Sequence, residues 1–283
     1  MTDGGILLEV KGLRISFGDA VPVRNVSFTI PRHGRVALVG ESGCGKSLTA
    51  LSLWKDHPDI RLAYVFQNPM EALNPVMKIG AQIREVAKGI ERGEIVELLG
   101  RTGLEDPERV YDSFPCRLSG GQCQRAMIAM ALAAKPDLLV ADEPTTALDV
   151  TTQREVLELI DSLAAETGMA VLLITHNLGL VAGRMDEVNV MYAGEIVESG
   201  PVGEVLSNPR HPYTQGLLKA VPAIDAPIDA PLADIAGTVP PPNAWPAGCA
   251  FHPRCPFASA VCSAEVPPER RCGSVRFNCH KGE

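Results

Sequence analysis

The sequence predicts an α/β fold with a mostly parallel core sheet, and three observations carry that prediction. Apolar segments within 35–40, 137–144 and 170–175 have the length and composition of buried strands. The first runs directly into a glycine-rich loop and a helical pattern, and the helical pattern at 151–166 separates the other two. Strands that alternate with helices are typical of parallel sheets. We also expect a small antiparallel portion near the N-terminus and a helical insert at about 75–135.

Composition and charge exclude several classes of protein. Apolar residues make up 46% of the 283 residues and charged residues 21%, which is typical of a globular chain. The net charge is −8, and Lys and Arg are scattered, which disfavours a nucleic-acid-binding protein. The longest apolar runs, such as "AMIAMALAA" (126–134), are too short to span a bilayer. The segment "MTDGGILLEVKG" lacks the pattern of a secretion signal, so we expect a cytosolic chain that reaches membranes only through a partner.

A phosphate-binding loop is predicted after the strand "RVALVG" (35–40). The loop "GESGCGKS" follows the pattern G-x-x-x-x-G-K-[ST] with Gly40, Gly45, Lys46 and Ser47, and a helical pattern comes next. Glycines let backbone N–H groups wrap phosphates, and the helix N-terminus adds partial positive charge. Lys46 would contact the β- and γ-phosphates, and Ser47 would hold Mg²⁺.

Acidic residues end the next buried strand. "DLLVADEP" (137–144) delivers Asp142, which is suited to a second Mg²⁺ contact, and Glu143, which is suited to orienting an attacking water. The strand at 170–175 ends at His176. Ligands bind at the carboxyl edge of parallel sheets, which favours a functional His176 over a structural one. The helix at 151–166 has no catalytic content; Val156, Leu159, Ile160 and Leu163 form its predicted core-facing stripe.

A second phosphate-binding turn is predicted at "LSGGQ" (118–122). Its Ser-Gly-Gly turn opens the apolar helical run "CQRAMIAMALAA". One chain cannot easily direct both devices at one phosphate from opposite sides. We therefore expect a head-to-tail pair in which each subunit's second device completes the site of its partner.

Taken together, the motifs "GESGCGKS", "LSGGQ", "LLVADEP", "ALD" (147–149) and "ITH" (174–176) resemble the ATP-binding subunit of an ABC transporter. The resemblance implies the P-loop ABC ATPase fold. It implies that Gln67 in "VFQNP" contacts Mg²⁺ and senses a membrane subunit, and that Asp149 acts across the dimer. It also implies that Phe17 stacks on adenine, although a core Phe is the alternative. The implied nucleotide contacts are Phe17, Gly40, Ser42, Gly43, Gly45, Lys46, Ser47, Ser119, Gly120, Gly121, Gln122 and Asp149, with Glu143, His176 and Gln67 catalytic and Ser47, Gln67 and Asp142 at Mg²⁺.

A narrower resemblance points to a transported cargo. "NPMEALNP" (68–75), "VMYAGEIVESG" (190–200) and "NPRHPYTQGLL" (208–218) are similar to the ATPases of oligopeptide and dipeptide importers. The resemblance implies a second, different ABC ATPase, two permease subunits, an extracytoplasmic binding protein and a place on the cytoplasmic face of the membrane. ATPases of nickel and opine importers share much of these sequence segments and are an alternative assignment. A soluble ABC ATPase that is not tied to transport is a further alternative.

The C-terminal part is predicted to be an extension of a nucleotide-binding domain. We assign 1–205 to the domain and 206–283 to the extension, in which seven prolines between 221 and 248 predict an extended linker. Cys249, Cys255, Cys262 and Cys279 match the cysteines of the peptide-importer extension, which resemble ligands of a [4Fe–4S] cluster. Four thiolates suit that cluster or a structural zinc ion, and Cys272 is left over.

Overall fold

The first two strands form a long antiparallel hairpin. In the computed structural model, which describes residues 5–145, 149–221 and 234–281, β1 is Ile6–Phe17 and β2 is Ala20–Pro31. Phe17 pairs with Ala20 at the turn, and Ile6 pairs with Pro31 at the open end. This hairpin is the antiparallel portion that the sequence predicts near the N-terminus.

The remaining elements are a mixture of strands and helices, as an α/β fold requires. They are β3 (Arg35–Val39), α1 (Lys46–Asp56), β4 (Leu62–Val65), α2 (Pro69–Ala72), α3 (Ile79–Val86), α4 (Arg92–Arg101), α5 (Pro107–Tyr111), α6 (Gly120–Ala133), β5 (Leu138–Asp142), α7 (Val150–Thr167), β6 (Ala170–Thr175), β7 (Glu187–Tyr192), β8 (Glu195–Pro201), α8 (Val202–Ser207), α9 (Pro212–Lys219), α10 (Ala260–Ala264), β9 (Glu269–Cys272) and β10 (Val275–Asn278). The three predicted buried strands are present as β3, β5 and β6.

The first of two compact units combines Met1–Asp56 and Ile174–Glu283. Its main strands follow the order β1-β2-β8-β7-β3. β3 pairs with β7 in parallel, and β7 pairs with β8 in antiparallel fashion. The four residues of β3 that follow Arg35 are fully buried, which explains their continuous apolar sequence.

The C-terminal residues add strands to this unit. β10 pairs with β8 through Arg276–Ser199 and Phe277–Glu198, and β9 pairs with β10. Upstream, the indole N–H of Trp245 donates to the carbonyl of Val21 at 2.8 Å. Sequence analysis did not predict this added pairing. Residues 222–233 of the predicted linker, and Ala147 and Leu148 of the "ALD" motif, lie outside the described residues.

The second compact unit is His57–Leu173, and it contains the predicted helical insert. Its strands follow the order β6-β5-β4, with β4 and β5 parallel. Helices α3 to α6 pack around a cluster of buried side chains that includes Ile83, Leu99 and Tyr111. In α7, Val156, Ile160 and Leu163 are buried as predicted, whereas Leu159 is half-buried and Leu157 takes a buried position instead. The boundary at 205/206 stays a prediction.

Candidate functional site

The predicted phosphate loop connects β3 to α1. Gly43 and Gly45 adopt left-handed φ angles of 81° and 100°, which L-residues with side chains rarely adopt. A Cβ on Gly40 would lie 2.1 Å from the carbonyl oxygen of Met191, and one on Gly45 would lie 2.6 Å from that of Pro22. Glycine is therefore required at position 40 for space, at position 43 for conformation and at position 45 for both reasons.

Lys46 opens helix α1 and points back into the loop. Its side chain is buried, and Nζ donates to the carbonyl oxygens of Gly40 at 2.7 Å and Glu41 at 3.0 Å. Ser42, Gly43 and Ser47 are exposed around it. The ammonium group is thus held inside a loop of accessible residues, as a phosphate cradle requires.

In the second unit, β5 ends at a buried carboxylate. Asp142 is 6% exposed, and its Oδ2 accepts a hydrogen bond from the hydroxyl of Tyr64 at 2.5 Å. Oδ1 is buried and makes no hydrogen bond to the described residues. Burial and the neighbouring carboxylate raise the pKa of Tyr64 far above its usual range, so that Tyr64 remains the donor. An orphaned carboxylate oxygen of this kind suits a Mg²⁺ ion or its bound water.

Glu143 follows directly and has an unusual backbone. Its φ is 44°, in the left-handed region that a glutamate rarely adopts. Its Oε2 accepts a hydrogen bond from Nε2 of Gln67 at 3.3 Å. Strain of this kind is concentrated at functional sites. The structure therefore brings together two residues that the resemblance assigned to catalysis. The left-handed backbone at Glu143 was not predicted from the sequence.

His176 and Phe17 belong to the first unit. His176 is exposed directly after β6, where Thr175 accepts a hydrogen bond from the amide of Gly40 at 3.3 Å. Phe17 is 62% exposed at the hairpin turn. The alternative of a core phenylalanine at this position is therefore wrong, and the ring is available for stacking.

The "LSGGQ" motif forms the N-terminus of α6. Ser119 caps the helix by accepting from the amide of Gln122 at 3.2 Å, and the Gln122 side chain accepts from the Ser119 amide at 3.1 Å. This capping box leaves Gly120 exposed at the first turn. A Cβ on Gly121 would lie 3.4 Å from Cγ2 of Thr152 in α7.

Asp149 caps α7 beside that turn. Its side chain accepts from the amides of Thr151 and Thr152 at 3.1 and 3.0 Å, and from the Thr152 hydroxyl at 2.7 Å. These hydrogen bonds hold the pKa of Asp149 below its usual range. The second predicted phosphate-binding turn and the predicted dimer aspartate are therefore neighbours in one unit.

The four predicted cysteine ligands line one cavity of about 300 Å³. The loop that carries the first two is tied to the third, since the Cys249 amide donates to the Cys262 carbonyl oxygen at 2.8 Å. Burial raises the pKa of the Cys249 thiol to about 11 and raises that of Cys279. Among the described residues, however, no group of three or more His, Cys, Asp or Glu side chains is arranged to hold a metal ion.

The other cysteines lie elsewhere. Cys44 in the phosphate loop is fully buried, and burial raises the pKa of its thiol. Cys123 is buried beside Met70 and the carbonyl oxygen of Pro115, so it is a packing residue of the helical unit. Cys116 is exposed, and so is Cys272, which does not line the cavity.

No helix within the described ranges is long and apolar enough to cross a membrane. Family models match two parts of the chain. The model described as ABC transporter matches residues 54–146, and that described as oligopeptide/dipeptide transporter, C-terminal region, matches residues 197–262.

Relatives match nearly the whole chain. A putative peptide import ATP-binding protein of Brucella ovis is 44% identical over 313 residues, with 93% of each chain covered. One of Brucella abortus is 43% identical and covers 96% of this chain and 94% of its own. The 313 aligned positions exceed the 283 residues of this chain, so the relatives carry segments that it lacks.

Solved structures share the fold. The ATP-binding subunit of an ABC transporter superposes with a TM-score of 0.61 at 26% identity, over 70% of this chain and 91% of its own. The cbiO1 protein of Clostridium perfringens, part of the ABC transporter complex cbiONQ, gives a TM-score of 0.62 at 24% identity, over 72% and 91%. The predicted fold class is confirmed.

Proposed function

Because this chain belongs to the peptide-import ATP-binding proteins of ABC transporters, we propose that it hydrolyses ATP to drive uptake of oligopeptides or dipeptides through separate membrane permease subunits. The observation that carries the proposal is the end of β5. There a buried Asp142 keeps one carboxylate oxygen without a partner, and Glu143 lies in hydrogen-bond contact with Gln67. These groups suit metal-assisted attack of water on a phosphate.

Binding of the nucleotide falls to the first unit. The amides of the Gly40–Gly45 loop and the Lys46 ammonium contact the phosphates, and the exposed ring of Phe17 stacks on adenine. Ser47 holds Mg²⁺, and Gln67 and Asp142 are the further residues assigned to that ion. When bound, the ion neutralises charge that develops on the phosphates.

Hydrolysis depends on the groups around the β5 end. Glu143 accepts a proton from the attacking water as general base. Gln67, which donates to Glu143, orients that carboxylate and responds to the membrane subunit. His176, exposed after β6, stabilises the reacting phosphate group.

The exposed first turn of α6 supports a composite site in a dimer. Ser119, Gly120, Gly121 and Gln122 contact the ATP bound by a second, different ABC ATPase, and Asp149 acts across the dimer interface. Two permease subunits and an extracytoplasmic substrate-binding protein complete the importer. The chain is then a peripheral protein on the cytoplasmic face of the membrane.

Substitution of the general base tests this function. In the importer reconstituted in vesicles, Glu143→Gln keeps MgATP binding but lowers hydrolysis and peptide uptake by about a hundredfold or more, because the amide cannot accept a proton. Glu97→Gln, at an exposed position of α4, is the matched control and leaves both rates unchanged. Turnover near the wild-type rate in Glu143→Gln would remove Glu143 from this role.

The four-cysteine cavity supports a [4Fe–4S] cluster as a structural cofactor. The four thiols line one cavity of about 300 Å³, and their spacing along the chain is unlike that of zinc sites built from C-x-x-C pairs. Cys249, Cys255, Cys262 and Cys279 are its proposed ligands.

Metal analysis of anaerobically purified protein tests the cofactor. We expect iron and acid-labile sulfide in the wild type and their loss in Cys262→Ser. Cys272→Ser, at an exposed cysteine outside the cavity, keeps both. Stoichiometric zinc without iron would overturn the assignment in favour of a zinc site.

A further inference from the structure

Three contacts converge on Glu41, the second residue of the phosphate loop. Its carbonyl oxygen accepts a hydrogen bond from Nζ of Lys46 at 3.0 Å. Its amide donates to the hydroxyl of Tyr213 in α9 at 2.8 Å. Its carboxylate accepts two hydrogen bonds from Arg254, at 2.7 and 2.9 Å. The residue that holds the phosphate-binding lysine is therefore itself held by the C-terminal part of the chain.

The Arg254 side chain is also held by contacts other than that with Glu41. It is 4% exposed, against 31% for the side chain of Glu41. Nε donates to the carbonyl oxygen of Ala236 and Nη2 to that of Ile235, both at 2.9 Å. The guanidinium also lies over the ring of Tyr192, 5.8 Å from its centroid. All the contacts join residues of the first unit, and a planar fork held from several sides can impose one position on the carboxylate.

Packing fixes the segment that carries Arg254. Phe251 is 2% exposed, and its ring lies 5.2 Å from that of Tyr192 and 5.4 Å from that of Tyr213. The Arg254 amide donates to the Phe251 carbonyl oxygen at 3.0 Å. The arginine thus lies on a short turn anchored in the same aromatic cluster as the tyrosine that binds the Glu41 amide.

Charge gives this contact a consequence for ligand binding. A carboxylate in a phosphate-binding loop repels the anionic ligand, and the repulsion is stronger where water is partly excluded. A bidentate arginine neutralises the carboxylate and holds it in one orientation. Without Arg254, the Glu41 carboxylate would be free to turn toward the phosphates, and the carbonyl that orients Lys46 would lose an anchor.

We propose that Arg254 is a positioning residue for the phosphate loop, which it prepares for MgATP by neutralising and immobilising Glu41. The proposal rests on the proposed ATP-binding function of that loop. It makes the cysteine-rich segment part of the nucleotide-binding apparatus, since Arg254 immediately precedes Cys255.

Nucleotide affinity of the full-length chain tests the proposal. We expect Arg254→Gln to weaken MgATP binding about tenfold, equivalent to about 1.4 kcal/mol. In the assembled importer its KM for ATP rises while kcat stays within about twofold, because Arg254 touches no reacting atom. Arg271→Gln is the control: Arg271 lies in the same C-terminal segment, is exposed and pairs only with Glu269 among the described residues.

A double variant separates positioning from structural damage. Arg254→Gln combined with Glu41→Gln removes the unpaired carboxylate, so we expect it to bind MgATP more tightly than Arg254→Gln alone. General damage to the fold would not be repaired by a second substitution. A double variant no better than the single one, or a folded Arg254→Gln with wild-type affinity, would overturn the proposal.

Two further measurements keep the outcome decisive. Arg254→Lys retains the charge but only one of the two carboxylate contacts, so we expect MgATP to bind about threefold more weakly. A folded Arg254→Lys variant with wild-type affinity would refute the proposal even if Arg254→Gln fails to fold. A wild-type chain that binds no MgATP would instead refute the ATP-binding function itself.

Discussion

Removal of one hydroxyl, in Tyr64→Phe, tests how the β5 carboxylate is supported. Tyr64 and Asp142 are both 6% exposed, and the tyrosine hydroxyl is the donor to Oδ2. The substitution keeps the ring, whose centroid lies 4.5 Å from that of Phe66, so packing changes little. What is lost is a hydrogen bond to a charged group whose other oxygen already has no partner among the described residues.

The expected cost follows from these facts. Hydrogen bonds to charged groups contribute about 1.5–3 kcal/mol, and a buried acceptor left without its donor bears its full desolvation penalty. We therefore expect the free energy of unfolding to fall by about 1.5–3 kcal/mol. Urea unfolding measures it, and an unchanged m-value would show that the loss is one of stability rather than of compactness.

A matched tyrosine gives the control. The hydroxyl of Tyr111 accepts a hydrogen bond from Arg84, which is exposed, so that water can replace the lost contact at the guanidinium. Tyr111→Phe should therefore lower the free energy of unfolding by less than about 1 kcal/mol. If Tyr64→Phe costs less than about 0.5 kcal/mol, the hydroxyl does not support Asp142 and the reasoning fails.

Two further predictions concern the first unit. Cys44 is buried, and burial raises the pKa of its thiol. A maleimide at pH 7.5 should therefore label the exposed Cys116 and Cys272 in the folded chain, and Cys44 only in urea. Equal labelling rates of the three cysteines, measured by mass spectrometry, would contradict the buried position of Cys44. Phe251→Ala should lower the free energy of unfolding by about 3–5 kcal/mol, because Phe251 is buried. Phe257→Ala is the control and should cost less than about 1 kcal/mol, because Phe257 is 47% exposed. Similar losses for the two variants in urea unfolding would refute the anchoring role of Phe251.

The parts of the fold that the sequence predicted depend on neighbours along the chain. β3, the phosphate loop and α1 follow from a continuous apolar run, glycines and a helical pattern within residues 35–56. β6 has the predicted bounds, 170–175, because a fully buried strand needs only apolar residues in sequence. The stripe of α7 was nearly right: Leu157 is buried where the sequence predicted Leu159, because the choice between them depends on what packs against the helix.

The parts that the sequence did not predict depend on distant residues. Tyr64 and Asp142 are 78 positions apart, and nothing in "LAYVFQ" marks the tyrosine as the partner of a particular carboxylate. The pairing of β10 with β8 was missed because a four-residue strand carries a weak signal. The left-handed backbone at Glu143 is unmarked because no glycine occupies the position.

The contact between Arg254 and Glu41 shows why a motif alone does not fix the chemistry of its loop. The two residues are 213 positions apart, and the motif G-x-x-x-x-G-K-[ST] leaves position 41 open to any side chain. A glutamate there would lower the affinity of an isolated loop for phosphates, yet the fold supplies a buried guanidinium that cancels its charge. The affinity of this loop for ATP is therefore a property of the loop and the C-terminal segment together. A substitution in either part should change that affinity.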